Sequence, residues 1–394
     1  MFFSATSLTQ SSPGLGHRSE KKARGTTTSL KWSVDLRSVG FTGFAPKQEQ
    51  WGLHFKANPL CFVSRETLIA TFMTRENVTT LARRDQPGEA LPLRLHGIFL
   101  DTEKGKVGAT REWTITRPRA GIIAGDDGRF TVLTPAMIGV YSRNLELLKD
   151  LKLSSEQQSH LWNFYPSPTG KSIVVEYHHP EASFQWIDID PLQVRAGWSD
   201  GVTGASISDD GIAFSRETFV KSTGFVHEVL LRPRAGSEQT ICRVIVGRSD
   251  SCGVPEFLSA DVLALWMPHG LTLVPKAGGD SILKATFRED EWLGRPLHPS
   301  ADGKRFAVMV WAHKGGSEFL DISPYSALKR IVVYDLRSRQ AIYTLDAGKA
   351  QIKSVSGAAL SPDGSLLAIL MGGVVEVYEI PSSTSAAPPE TTRK

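Results

Sequence analysis

An all-β fold, a seven-bladed β-propeller whose last blade is closed by an N-terminal strand, is predicted by three features of this 394-residue chain. One turn built from Ser, Asp and Gly recurs between pairs of short apolar strands. Its copies follow one another at intervals close to the length of a four-stranded unit. No window sustains a 3.6-residue apolar period over three turns, so the helical fold classes fall away.

The turn is clearest within residues 358–369, where Ser361-Pro362-Asp363-Gly364 separates two apolar runs. Further copies centre on Asp126-Asp127-Gly128, Ser167-Pro168-Thr169-Gly170, Ser208-Asp209-Asp210-Gly211 and Ser300-Ala301-Asp302-Gly303. Two copies lack the glycine, Ser64-Arg65-Glu66 and Ser259-Ala260-Asp261. Glycine suits the turn because a residue with φ > 0 costs least without a Cβ, while Asp or Ser closes the turn through the backbone. With residues 66, 128, 170, 211, 260, 303 and 364 as markers, the intervals are 62, 42, 41, 49, 43 and 61. Four of them lie near the roughly 40–45 residues of a propeller blade. The two long ones are the same unit carrying an insertion, which makes seven units.

Each unit then reads in order. A short first strand leads through the turn to a second strand, a third strand ends in a polar turn, and a fourth strand follows. Residues 329–336, the turn Arg337-Ser338-Arg339 and residues 340–345 show the third and fourth strands, and residues 183–190 repeat the third. These runs are rich in Val, Ile, Phe and Trp and are bounded by turn residues. Helix is expected for only a turn or two, around residues 154–162 and 324–329.

Ring closure explains the ends. Unit seven stops at Pro381 after its third strand, residues 374–380, and an unattached strand stands at residues 30–36. Pairing the two would cover an open sheet edge and lock the ring. Val34-Asp35-Leu36-Arg37-Ser38 also echoes Tyr334-Asp335-Leu336-Arg337-Ser338, a third-strand sequence, so the echo and the closure assign this strand to different places in a blade. The expected organisation is a basic tail over residues 1–28, one propeller over 29–381 and a second tail over 382–394.

The Ser-Pro-Asp-Gly turn at Ser361 to Gly364, together with the strand 331–336 ending in Tyr-Asp-Leu, resembles the WD-repeat and YVTN-type bacterial β-propellers. The resemblance covers about residues 30–381 and implies architecture rather than activity. It departs from a strict WD repeat: no Gly-His pair recurs, and Trp-Asp never closes a third strand.

Charge separates tail from body. The net charge is +4, and Arg18, Lys21, Lys22, Arg24 and Lys31 against Glu20 account for all of it. The pI near 8.9 therefore describes a tail and predicts no nucleic-acid face on the body. The longest apolar run, residues 366–375, is too short to span a bilayer. Cys61, Cys242 and Cys252 show neither CxxC spacing nor a His partner at zinc-like distance, so buried or incidental thiols are expected. Without a signal-type apolar core near the start, a cytoplasmic monomer is expected, and an exported one if the true start lies upstream.

Candidate binding residues follow from the insertions. One runs from about residue 74 to 92 and carries Arg75, Arg83 and Arg84. The other, from about 312 to 328, carries His313, Lys314, Glu318 and Tyr325. Both fall between second and third strands, as do His178, His179 and Glu181 in unit three and His269 in unit five. In a propeller these loops share one face with the inter-blade loops, which are expected to hold Trp198, Asp200, Arg248, Asp250, Trp292 and Arg295. Long loops on rigid scaffolds concentrate binding, and Trp and Arg often dominate interfaces.

Three motif matches fail on context. Gly197-Trp198-Ser199-Asp200-Gly201 fits a nucleophile elbow, but another strand follows where a helix is required. Gly170-Lys171-Ser172 lacks the first glycine of a phosphate loop, and Asn77-Val78-Thr79 matters only in a secreted, glycosylated protein. The expected function is thus a non-enzymatic scaffold for protein partners or a ligand, with no cofactor. The alternative is a metal-dependent hydrolase of lactonase type, with carboxylates and His at the channel mouth. A third reading is a ligand-sensing periplasmic propeller.

Overall fold

The computed structural model describes residues 29–41, 58–75, 93–115, 120–125, 128–178, 182–198, 206–221, 224–234, 236–246, 255–267, 270–313, 326–346 and 357–382. The strands of the described residues form seven antiparallel sheets of four. Blade one is Leu60–Phe62, Thr67–Arg75, Leu93–Asp101 and Val107–Ile115. Blade two is Gly121–Ala124, Phe130–Leu133, Met137–Tyr141 and Leu147–Lys152, and blade three is Leu161–Pro166, Ser172–His178, Ala182–Ile189 and Leu192–Trp198. Blade four is Ser206–Ile207, Gly211–Val220, Gly224–Pro233 and Gln239–Val246. Blade five is Glu256–Phe257, Val262–Met267, Gly270–Pro275 and Leu283–Thr286, and blade six is Glu291–Pro299, Arg305–His313, Ser326–Asp335 and Gln340–Asp346. Blade seven takes Gly357–Leu360, Leu366–Met371 and Val374–Glu379 from the end of the chain and Ser29–Asp35 from its start.

First strands of neighbouring blades touch around the centre: blade one with seven and two, four with three and five, six with seven. Both faces of each sheet are therefore covered by neighbours. That is why second strands read as unbroken apolar runs, such as Phe306–Val310 and Leu366–Leu370, rather than alternating ones. Fourth strands lie on the rim, and Leu147–Lys152 is exposed almost throughout. Seven apolar clusters form the core, one at every seam between adjacent blades. Each fully buried Val, Leu, Ile or Phe at a seam stabilises the ring by roughly 1.5–3 kcal/mol.

The recurring turns join first to second strands in all seven blades. In blades three, six and seven four residues form the loop, and Ser167, Ser300 and Ser361 accept, through their hydroxyls, the amide N–H five residues on. Ser300 and Ser361 in turn donate to Asp302 and Asp363, each at 2.7 Å. Gly170, Gly303 and Gly364 adopt φ of 70, 65 and 67°. Blade four differs: the Ser208 amide donates directly to the Gly211 carbonyl, so its loop is two residues long and Gly211 opens the second strand. The φ > 0 argument does not apply to that glycine.

The N-terminal strand pairs antiparallel with Val374–Glu379, from Ser29 opposite Glu379 to Asp35 opposite Val374. It is the fourth strand of blade seven, so the third-strand echo does not describe its position. A 3-10 turn, Leu36–Val39, follows, with the Leu36 amide donating to Gly373 at 2.8 Å. Trp32 donates its indole N–H to the Thr102 carbonyl at 2.6 Å, and Leu36 and Phe41 enter the seam with blade one. A short helix, Ser155–His160, fills one expected helical place, started by a reciprocal Ser154–Gln157 cap. The other does not form: Ser326 already belongs to a strand of blade six.

Candidate functional site

The seven first-to-second turns and the third-to-fourth turns lie on one side of the ring. They are stitched to one another: Asp302 donates its amide to Pro362, Arg305 donates to the Gly364 carbonyl, and Thr169 donates to Asp209. Second-to-third loops and inter-blade connections occupy the other side. The long segments 76–92 and 314–325 leave from there; both lie outside the described residues, so the description concerns their roots.

In blade six, Glu291 at the start of the first strand is 1% exposed. Arg330 donates to its two oxygens at 2.6 and 2.8 Å, and Lys329 approaches at 2.9 Å. Burial alone would raise this carboxyl, yet the hydrogen bonds from Arg330 and Lys329 outweigh it and hold the group at about 2. A one-residue shift in pairing between Val310 and Trp311 leaves Lys329 as the extra residue, which places both cations at the same acid. Trp292 stacks on Trp311 with ring centroids 5.7 Å apart. In blade one, Thr74 lies 2.6 Å from His96 Nε2, and Glu112 meets His96 Nδ1 at 3.2 Å and Arg94 at 2.7 Å. His96 also stacks on Phe72, and its burial lowers its basicity against the pull of Glu112. Thr74 and His96 thus join the two strands that flank the first insertion, while Glu291 holds Lys329 and Arg330 at the third-strand root of the second.

A third constellation sits where blade three meets blade four. Glu176 is 1% exposed; Tyr165 donates its hydroxyl to it at 2.5 Å, and His178 Nε2 lies 2.7 Å away. Burial, with Glu176 beside it, pushes the Tyr165 phenol well above its ordinary range. The His178 ring stacks on Trp162 at 4.6 Å, and Trp198 stacks on Phe184 at 5.2 Å. Here too a pairing shift, between Leu161 and Asn163, leaves Trp162 as the extra residue.

Of the sequence candidates, His178 and Trp198 come to this one seam. Trp198 ends the fourth strand of blade three, and Trp292 lies within the first strand of blade six rather than in a loop. The correction has a simple cause: that strand starts at Glu291 because the acid pairs with Ala312 and is anchored by the third strand. Arg75 and His313 end second strands of blades one and six. Arg83, Arg84, His179, His269 and Tyr325 lie outside the described residues. Sequence reasoning missed Glu176, Tyr165, Trp162, Glu291, Lys329, Arg330 and His96. The available signal was a carboxylate inside an apolar run, Ile173-Val174-Val175-Glu176-Tyr177.

Among the described residues no three His, Cys, Asp or Glu side chains are grouped to hold a metal, and no helix is long and apolar enough to cross a membrane. Cys61 and Cys242 form no disulfide among the described residues. A cleft lined by Arg129, Lys171 and Asp190 opens between blades two and three on the turn side, away from these constellations.

No protein-family model matches the chain, and no curated protein matches it in sequence. A solved structure shares its fold, and two others resemble it more loosely. A chain of the crystal structure of the mitotic checkpoint complex is 11% identical with a TM-score of 0.52, over 92% of this chain and 99% of that one. The C-terminal WD40 domain of Sif2 is 11% identical with a TM-score of 0.48, over 90% and 99%. Hsv2 of Kluyvelomyces marxianus is 11% identical with a TM-score of 0.45, over 73% and 88%. The likeness is one of fold.

Proposed function

We propose that this chain is a non-enzymatic scaffold whose protein partners dock on the face that bears the two insertions. One observation carries the reading: both insertions leave the same side of the ring, the first between strands joined by Thr74 and His96 and the second beside Arg330, which Glu291 holds. A rigid ring that holds long loops by tied roots presents them at low entropic cost, which favours binding. The docking surface comprises His178, Trp198 and Trp292 with the segments carrying Arg75, Arg83, Arg84, His179, His269, His313 and Tyr325. The Ser-Pro-Asp-Gly turn further aligns the repeat with divergent bacterial propellers.

The test is affinity capture from the native host with three forms of the protein. One is intact, one has residues 76–92 replaced by Asn-Gly, and one has 314–325 replaced likewise. Loss of a captured protein from either shortened form, with the circular dichroism spectrum unchanged, is the expected result. Partners indifferent to both replacements overturn the reading.

A further inference from the structure

Four carboxylates are buried among the described residues: Glu176 at 1% exposure, Asp188 at 6%, Glu291 at 1% and Asp335 at 6%. A buried charge is costly unless an opposite charge or several hydrogen bonds compensate it. Asp188 is met by Arg195 and Arg234, Glu291 by Arg330 and Lys329, and Asp335 by Arg305. Among the described residues Glu176 is met by no lysine or arginine; a phenol and an imidazole are its partners. That imidazole, His178, is the outermost member of the group, with its side chain 36% exposed.

We propose that His178, oriented by Glu176 and stacked on Trp162, receives a basic side chain, lysine or arginine, of the docking protein. The inference rests on insertion-face docking and names the chemistry of the partner. Nε2 of His178 faces a Glu176 oxygen at 2.7 Å, and a ring proton on that nitrogen would be donated to the carboxylate. In the neutral ring Nδ1 is then left as a bare acceptor, and no hydrogen bond to it forms among the described residues. An acceptor backed by a buried negative charge selects a cationic donor over a neutral one and rejects a carboxylate, which offers no proton. Trp162, lying parallel beneath the ring at 4.6 Å, keeps the imidazole from swinging away. Trp198, partly buried and stacked on the buried Phe184 at the same seam, supplies apolar surface for the aliphatic stem of such a side chain.

The test uses the full chain and Gly-Ser nonapeptides that carry three lysines, three arginines or three glutamates. Nitrogen NMR of His178 reads the tautomer, and peptide-induced shifts of the Trp162 and Trp198 indole N–H signals read affinity in every variant. The wild type is expected to hold the proton on Nε2 and to prefer the basic peptides about ten-fold over the glutamate peptide. In Glu176→Gln the amide oxygen still accepts from Tyr165, while the amide N–H donates to Nε2 and drives the proton to Nδ1. The tautomer signature inverts, and the preference for basic peptides disappears, a change that a purely structural role would not produce. His178→Phe keeps the stack on Trp162 and removes the acceptor; it is expected to lose the same ten-fold with an unchanged circular dichroism spectrum, and to melt at a lower temperature because Glu176 keeps only Tyr165. Equal binding of lysine and glutamate peptides, an Nδ1 proton in the wild type, or undiminished preference in His178→Phe overturns the proposal. A captured partner that needs the insertions but ignores His178→Phe sinks this inference alone; one that ignores the insertions sinks the docking-face reading.

Discussion

Glu291 holds two cations on one buried carboxylate, and its effect on stability depends on pH in a definite direction. Its folded-state value of about 2 lies below the ordinary 4.5, so the stabilisation is complete above about 4.5 and is lost as pH falls toward 2. Glu291→Gln is expected to cost about 2–3 kcal/mol at pH 7. That is less than the roughly 3–5 kcal/mol of a wholly buried pair, because Arg330 and Lys329 are partly exposed. Urea denaturation of both proteins between pH 7 and 2.5 checks it: the gap should narrow only below about pH 4.5. Two glycines with positive φ offer a second comparison. At Gly40, φ +96°, an added Cβ meets nothing within 4 Å, so Gly40→Ala is expected to cost about 1 kcal/mol from backbone strain alone. At Gly170, φ +70°, the same methyl would run into the carbonyl oxygen of Ala124, and the cost should exceed about 3 kcal/mol. Similar denaturation midpoints for the two variants would contradict that difference.

Among elements, the closing strand has the clearest consequence. Trp32, Val34 and Leu36 pack into the seam between blades seven and one, and the strand covers the edge of Val374–Glu379. Removing residues 1–27 touches none of these contacts, whereas removing 1–38 strips the seam and exposes the edge. The first deletion should leave the melting temperature nearly unchanged, and the second should lower it by about 10 °C or more. Calorimetry that finds the same value for both would refute closure as a source of stability. Strands and turns of this kind are legible in sequence because their signals are local: Ser361, Asp363 and Gly364 lie within the loop they form. The two-residue turn at Ser208 was not legible, since the residue types match those of the longer turns while the register of blade four decides which amide reaches which carbonyl.

On the scale of the whole molecule, seven seams make one closed core, so stability should not depend on where the chain is cut. Ser29 sits directly opposite Glu379 in the sheet of blade seven. A circular permutant that joins Ile380 to Ser29 through Asn-Gly and opens within residues 347–356 turns blade seven into an ordinary meander. It should fold with the same far-ultraviolet spectrum and a melting temperature within about 5 °C of the parent. A permutant without cooperative melting would show that the order of the strands in the chain, and not only their arrangement, is required.

The repeating four-stranded units and their order were legible in the sequence alone, because turn chemistry and apolar runs act over a few residues and repeat; the count of seven and the place of the closing strand, which two sequence signals assigned differently, were decided by the sheet pairing. Also legible was the side of the ring that carries the insertions, which follows from strand count. Which side chains meet at the candidate site was decided only by the tertiary structure. Glu291 and Arg330 are 39 residues apart, and Trp162 and His178 are 16 apart. Both meetings rest on a one-residue pairing shift, at Lys329 and at Trp162. Side chains alternate across a strand, so a single extra residue moves every later one to the opposite face. A local pattern does not encode where such a shift falls; the packing of one blade against the next does.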